Sequence, residues 1–191
     1  TGQGKSMSFK SNEDVVIYTE RVEQEVSVKD SELVYAGFGI VAPEYGWNDY
    51  EGLDVKGKTV VVLVNDPGFG SGDSTLFKGD QMTYYGRWTY KYEEAARQGA
   101  AGVLIVHETV PAGYPWLVVQ SSWTGAKLNL DDANPPYKCA VQGWITRNTA
   151  VELFKAAGIK DYSGMAKTKG FKPVAMGLKA SMGVKNKVKR D

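Results

Sequence analysis

The sequence predicts an α+β fold that is mostly β, with a βαβ unit and two to three helices. Residues 59–65, TVVVLVN, form a continuous β-branched run, which is typical of a strand covered on both faces in a parallel sheet. Residues 88–99 carry apolar side chains at helical spacing, and residues 102–106, GVLIV, form a second buried run. Strand, helix and strand in this order predict the βαβ unit, with a right-handed crossover.

The segments before the first of these runs are less regular. Residues 1–30 are polar, with a short apolar alternation that predicts a peripheral strand or a connector. Residues 32–41, ELVYAGFGIV, predict a strand with a bulge or a close backbone approach at its glycines. Residues 42–58 are rich in turn residues.

A loop of about twenty residues, 66–87, separates the first buried run from the helix, and loops of this length are usually functional or disordered. The helix has one apolar face, formed by Trp88, Tyr92, Ala95, Ala96 and Gly99. We expect Lys91 and Glu94 to point away from that face. Glu93 and Arg97 have the spacing of a favourable ion pair.

The second half predicts strands at 116–123 and 139–145 and a last helix that starts near Thr149. Thr149 and Glu152 have the spacing of a capping box, and Gly158 is the expected helix stop. Three segments follow from this organisation: a connector or peripheral strand at 1–30, a central domain at 31–160, and a connector strand or tail at 161–191. The last segment can pair with residues near the N-terminus.

The charge balance and residue counts exclude several classes of function. With 23 basic and 22 acidic residues the chain lacks the basic excess of nucleic-acid-binding proteins. No apolar run approaches the roughly 18 to 20 residues of a membrane span. One histidine and one cysteine cannot form a histidine-rich zinc site, so we expect no cofactor in this chain. Cys139, the single cysteine, is expected to be a plain buried thiol.

Three kinds of chemistry stay open as alternatives. His107 follows a buried strand, where it either bonds a nearby backbone group or serves as the base for a nucleophile. The candidates for that nucleophile are Ser121, Ser122 and Cys139, although no Gly-x-Ser-x-Gly elbow occurs. The acidic residues Asp66, Asp73 and Asp80 leave calcium open, although their spacing misses the EF-hand pattern.

A glycine-rich stretch within the long loop, GFGSGD at 68–73, has some likeness to a phosphate-binding loop. It lacks the following Lys-Ser/Thr pair and an immediate helix, which favours a flexible turn. A small ligand- or anion-binding α/β domain is therefore the alternative function.

Aromatic side chains are abundant in the predicted loops, and together with arginine they have the composition of an interface. The other interpretation is that they cover the ends of a small sheet. We expect the contacting surface to contain Tyr84, Tyr85, Arg87 and Trp88, together with Tyr114 and Trp116 from the turn at 111–116.

Several stretches closely resemble a known family. They include ELVYAGFGIVAPEYGWNDYEGLDVKGKTVVVLVNDPGF, MTYYGRWTYKYEEAARQGAAG and IVHETVPAGYPW, and the likeness runs from about residue 32 to 125 and more weakly to 158. Together they resemble the protease-associated (PA) domain inserted in bacterial zinc-dependent aminopeptidases, which are relatives of glutamate carboxypeptidase and of the transferrin receptor ectodomain.

The resemblance implies a swivelling β/β/α domain without catalytic residues. In this family zinc is bound in a separate peptidase domain, so the implied partners are that domain of the same polypeptide and a peptide substrate. His107 matches a histidine of the family's VHET stretch that is not a zinc ligand. A periplasmic, extracellular or cell-surface location is implied as well.

Overall fold

A computed structural model describes residues 6–123, 125–128 and 136–189 of the chain, so residues 1–5 and 190–191 of the two expected terminal segments lie outside the described part. The strands are β1 (Val15–Tyr18), β2 (Glu25–Tyr35), β3 (Val41–Ala42), β4 (Trp47–Asn48), β5 (Thr59–Leu63), β6 (Gly102–His107), β7 (Val141–Thr146) and β8 (Val174–Lys185). The helices are α1 (Trp88–Arg97), α2 (Thr109–Ala112), α3 (Trp116–Ser122), α4 (Arg147–Ala156) and α5 (Tyr162–Lys167).

Six of the strands form one mixed sheet in the order β1-β7-β6-β5-β2-β8. The inner strands β7, β6, β5 and β2 are parallel, and the edge strands β1 and β8 pair antiparallel to their neighbours. The remaining strands, β3 and β4, form a separate two-stranded ladder. This mixed architecture confirms the α+β class at a coarse level.

The βαβ unit predicted from the two buried runs is confirmed, because β5 and β6 are parallel neighbours and α1 connects them. Every residue of both strands is buried, since helices cover both faces of the sheet. Helix α1 packs its Tyr92 and Ala95 on one face, and α4 packs Leu153 and Phe154 on the other. The described residues contain five α-helices rather than two to three.

The prediction of a strand at 116–123 is wrong, because these residues form α3 and a short C-terminal turn. An apolar run of this length fits a strand or a helix equally well by pattern. The helical solution buries Val119 and turns Trp116 and Trp123 towards the same core, at helical spacings. It leaves the side chains of Leu117 and Val118 exposed.

The last part of the chain also differs in detail from the prediction. Helix α4 begins at Arg147, because Thr146 is its N-cap and accepts a hydrogen bond from the Thr149 amide at 3.1 Å. Thr149 is therefore inside the first turn rather than at the cap. Gly158 follows the helix with a φ of 73°, as expected for a helix stop. Helix α5 was not predicted.

The two terminal segments meet in the sheet, where β8 pairs antiparallel with β2. The predicted strand at 32–41 is broken, because Gly37 and Gly39 have φ values of 53° and 64° and turn the chain after β2. The boundary expected at residue 30 lies inside β2, where Asp30 has a φ of 49° beside a shift in strand register. Across the described ranges, no helix has both the length and the apolarity to cross a bilayer.

Candidate functional site

The carboxyl ends of three parallel strands meet at one edge of the sheet, called here the carboxyl edge. Leu63 of β5 pairs with Val106 of β6, and His107 of β6 pairs with Thr146 of β7. The long loop 66–87, the helices α2 and α3, and the start of α4 all follow these strand ends. Ligands of open α/β sheets commonly bind at such an edge.

The first predicted contact residues, Tyr84 and Tyr85, lie in a short 3-10 turn just before α1. Tyr84 is 55% exposed, and its hydroxyl donates to the Glu93 carboxylate at 2.7 Å. Tyr85 is half-buried, packs against Phe77, and donates to the Glu44 carboxylate at 2.6 Å. Both hydroxyls are therefore engaged in hydrogen bonds to carboxylates.

The next two contact residues, Arg87 and Trp88, begin α1. The Arg87 side chain is exposed, whereas Trp88 is half-buried. The Trp88 ring lies edge-on to Tyr92 and Trp123, with centroid distances of 5.8 and 4.8 Å. Trp88 therefore belongs in part to the core under α1, and its free edge is the part available for contact.

The last two contact residues flank His107. The rings of Tyr114 and Trp116 lie 5.7 and 5.5 Å from the imidazole centroid. Together with Trp88 they pack on the core face covered by α1, whereas Tyr85 packs on the opposite core face. The structure therefore divides the predicted surface into two groups, one on each face of the sheet.

Exposed apolar side chains lie near Trp116, on α2 and α3. Val110 on α2 is 75% exposed, and Leu117 and Val118 on α3 are 68% and 40% exposed. An open cleft of about 530 Å³ lies beside them, and its lining includes Val110 and Trp116. We call Val110, Leu117 and Val118 the apolar patch. Sequence reasoning missed it because the run at 116–123 was interpreted as a strand.

His107 is buried at the end of β6, with 4% of its surface exposed. Its Nε2–H donates to the Tyr114 carbonyl at 3.0 Å, which leaves the lone pair of the neutral ring on Nδ1. Burial lowers the pKa of His107 below its usual value, which favours the neutral ring. These contacts correspond to the first alternative in the sequence, a strand-end histidine bonded to backbone.

The candidate nucleophiles make other contacts. The Ser121 hydroxyl donates to the Leu117 carbonyl at 2.9 Å, within its own helix. Cys139 is a fully buried free cysteine, and burial raises the pKa of its thiol to about 12. Because the thiolate is the reactive form, this cysteine is a poor nucleophile. The geometry does not favour a hydrolase centred on His107.

The acidic residues of the long loop bind its own backbone and side chains. Asp66 accepts hydrogen bonds from the Gly68 and Thr83 amides, and Asp73 accepts from the Thr75 amide and hydroxyl. Asp80 accepts from the Gly70 amide at 2.8 Å. Among the described residues, no group of three or more histidine, cysteine or acidic side chains has an arrangement that could hold a metal ion.

The same contacts bear on anion binding at 68–73. The amides of Gly68 and Gly70, which would have to face an anion, already donate to the carboxylates of Asp66 and Asp80. A bound anion would compete with these bonds and meet the negative charge of both carboxylates. The geometry of this loop therefore does not favour a phosphate or other anion as its ligand.

A buried polar cluster joins the loops at the carboxyl edge, and the sequence did not predict it. Asp49 is 1% exposed and accepts hydrogen bonds from the Phe38 and Ile40 amides and from the Trp47 indole. Burial raises the pKa of Asp49 to about 7, whereas these hydrogen bonds and the charge of Lys91 act in the opposite direction.

Lys91 and Glu94, which we expected to lie off the apolar face of α1, are nevertheless both buried. The Lys91 ammonium donates to the Asn65 carbonyl at 2.8 Å, and burial lowers the pKa of Lys91 to about 7. Glu94 accepts from Arg97 and Gln98 at 2.8 Å each. Lys91 is covered by Asn65, which follows β5, and by the ring of Phe38 in the turn after β2, and a helical wheel of one segment cannot reveal such contacts.

Comparisons with family models, with curated proteins and with solved structures found no match to this chain.

Proposed function

We propose that this chain is a non-catalytic PA-type domain of a zinc aminopeptidase, which shapes or covers the peptidase cleft and contacts substrate or a protein partner. The resemblance of residues 32–125 to PA domains supports the family assignment. The same resemblance implies that the parent enzyme holds the zinc in another domain and acts in the periplasm or at the cell surface.

The observation that carries the contact role is the apolar patch. Its three side chains are strongly exposed and lie within nine consecutive residues, on two short helices at the carboxyl edge. Covering apolar surface stabilises an association by roughly 25 cal/mol per Å² removed from water. Exposed apolar groups concentrated at a ligand-binding edge are typical of interaction sites.

Polar residues at the border of the cleft can orient a bound partner through hydrogen bonds. Arg147 and Glu108 line the cleft beside the apolar patch, and their side chains are 3.4 Å apart. The guanidinium is exposed and keeps donors free for an incoming carboxylate or carbonyl. An extended peptide with apolar side chains fits this combination of apolar and polar groups.

The test uses the full polypeptide that carries this chain. Leu117→Ser removes apolar contact area from the patch, and Arg87→Ala and Trp88→Ala remove the other predicted contacts. We expect each variant to raise KM for peptide substrates or to change substrate preference, with Leu117→Ser raising KM about 3- to 10-fold, because exposed contact residues act through binding.

Val22→Ser is the matched control. Val22 is an exposed valine, 45% accessible, and it follows β1 at the end of the sheet opposite the carboxyl edge. It should leave KM unchanged. Unaltered kinetics in all three contact variants, with thermal melting as in the wild type, would contradict the contact role.

A further inference from the structure

The imidazole of His107 has one nitrogen that the fold uses and one that it does not. Its Nε2–H donates to the Tyr114 carbonyl, whereas Nδ1, which carries the lone pair of the neutral ring, has no hydrogen-bond partner among the described residues. Nδ1 is also not one of the unpartnered polar atoms that are sealed from solvent. This acceptor is therefore within reach of a ligand, although the residue as a whole is only 4% exposed.

The open space beside this nitrogen is the cleft at the carboxyl edge. His107 lines that cleft together with Val110, Trp116 and Arg147. The ring of Trp116 belongs to the same wall and lies 5.5 Å from the imidazole, centroid to centroid. Because His107 is buried and Val110 is strongly exposed, the acceptor lies deeper in the cleft than the apolar patch does.

Aromatic neighbours hold the imidazole in one orientation. The ring centroids of Tyr114, Trp116 and Trp144 lie 5.7, 5.5 and 5.9 Å from that of the imidazole. The hydrogen bond from Nε2 to the Tyr114 carbonyl, at 3.0 Å, adds a polar constraint. The direction of the Nδ1 lone pair is therefore set before a ligand binds, and such preorganisation lowers the cost of binding.

An acceptor and a donor in the same cleft complement a peptide amide. Nδ1 accepts one hydrogen bond, and the Arg147 guanidinium, which is exposed, has five N–H donors, more than its contact with Glu108 can use. A secondary amide brings an N–H donor and a carbonyl acceptor. The main chain of an extended peptide therefore supplies partners for both groups, while its side chains can contact the apolar patch.

We propose that His107 recognises the main chain of a bound peptide, with Nδ1 accepting a hydrogen bond from a backbone N–H. The cleft then selects segments with a secondary amide at that position and rejects proline and N-methylated residues there. This inference rests on the proposed contact role of the cleft and names the group that the cleft recognises.

The selectivity follows from the cost of leaving a buried acceptor unpaired. A ligand without an N–H excludes solvent from Nδ1 and donates nothing in return, so it binds more weakly than the amide of the same shape. Sites built to bond an N–H discriminate strongly against analogues that lack it. Burial lowers the pKa of His107, which favours the neutral ring and so keeps Nδ1 an acceptor.

The probe is N-acetyl-leucine methylamide, titrated into the whole protein with isotopically labelled histidine and followed by NMR. The chain has a single histidine, so its ring nitrogens need no further assignment. The controls are the two ester analogues in which oxygen replaces one or the other N–H. We expect a saturable shift of the Nδ1 resonance with the amide, at a Kd in the millimolar range. At least one ester should bind about 5-fold more weakly or worse.

His107→Gln keeps an N–H for the Tyr114 carbonyl, removes the Nδ1 lone pair and should abolish the preference for the amide. Arg147→Met should weaken the amide and both esters alike and keep that preference.

The inference is overturned if the free ring carries its proton on Nδ1, if the amide causes no saturable shift of Nδ1, if both esters bind as tightly as the amide, or if His107→Gln discriminates as the wild type does. Equal binding of the probes together with a raised KM in Leu117→Ser would refute the role of His107 and leave the contact role standing. A preference for the amide together with unaltered kinetics in the contact variants would support His107 and contradict the contact role.

Discussion

Asp49 and Gln142 are buried to almost the same extent, at 1% and 2% exposure, yet their surroundings differ in kind. Asp49 accepts three hydrogen bonds and faces the positive charge of Lys91. The Gln142 oxygen is likewise sealed from solvent but accepts none from the described residues. Equal burial therefore has opposite consequences, because a polar group stabilises a fold only when its partners are present.

The Asp49 cluster and Gln142 have different roles in the fold. The Asp49 cluster joins the turn after β2, the ladder of β3 and β4, and through Lys91 the start of the long loop. It holds the turn after β2 and the β3–β4 ladder in place beside α1 and the end of β5. The Gln142 oxygen makes no comparable link among the described residues.

The largest effect is expected for Asp49→Ala. The substitution leaves three buried donors without an acceptor and Lys91 without its counter-charge, which corresponds to a loss of about 3 to 5 kcal/mol in the free energy of unfolding. Urea denaturation measures this quantity. Asp54→Ala is the control, because Asp54 is exposed and bonds only the Lys56 amide, and its loss should stay below about 1 kcal/mol. Equal losses in both variants would remove the distinction between a buried cluster and a surface turn.

A smaller effect, and a pH-dependent one, is expected for Lys91→Met. Burial lowers the pKa of Lys91 from 10.5 to about 7, so above pH 7 the unfolded chain binds more protons than the folded one. The contribution of Lys91 to stability therefore rises with pH between about 7 and 10.5. Methionine keeps the length of the side chain and abolishes this rise.

The measurement is urea denaturation of both proteins at pH 7.0 and 8.5. Relative to Lys91→Met, the wild type should gain about 1 to 2 kcal/mol over this interval. Lys58→Met is the control, because Lys58 is only half-buried, in an ion pair with the exposed Glu32, and its substitution should change the pH profile much less. If the free energy of unfolding changed with pH equally in the wild type and in Lys91→Met, the burial of Lys91 with a lowered pKa would be contradicted.

The sequence was sufficient to predict the centre of the sheet but not the order of its edges. The runs at 59–65 and 102–106 are apolar throughout, and only a strand covered on both faces requires that. The pairing of β8 with β2 joins residues about 150 positions apart, and no local pattern specifies it. The strand predicted at 116–123 was wrong because an apolar run of this length fits either a strand or a helix by its pattern.

The candidate site was predictable only in part, because local sequence shows residue types but not how the fold arranges them. Aromatic residues and Arg87 are visible in the sequence as contact candidates, but their division between the two faces of the sheet depends on the fold. The burial of Lys91 could not be predicted because a helical wheel describes a single covered face, and here Phe38 and Asn65 cover another. The one signal available was Asn65-Asp66 directly after a buried strand, where polar groups commonly point at a ligand or at a buried partner.

The most direct test of the contrast between satisfied and unsatisfied buried groups is the stability of Gln142→Leu. Replacing an amide whose oxygen has no partner among the described residues by an apolar side chain of similar size should raise the free energy of unfolding by about 1 to 2 kcal/mol, measured by urea denaturation. A loss of 1 kcal/mol or more in this variant would mean that the Gln142 amide has partners in the folded protein, and the contrast with Asp49 would be wrong.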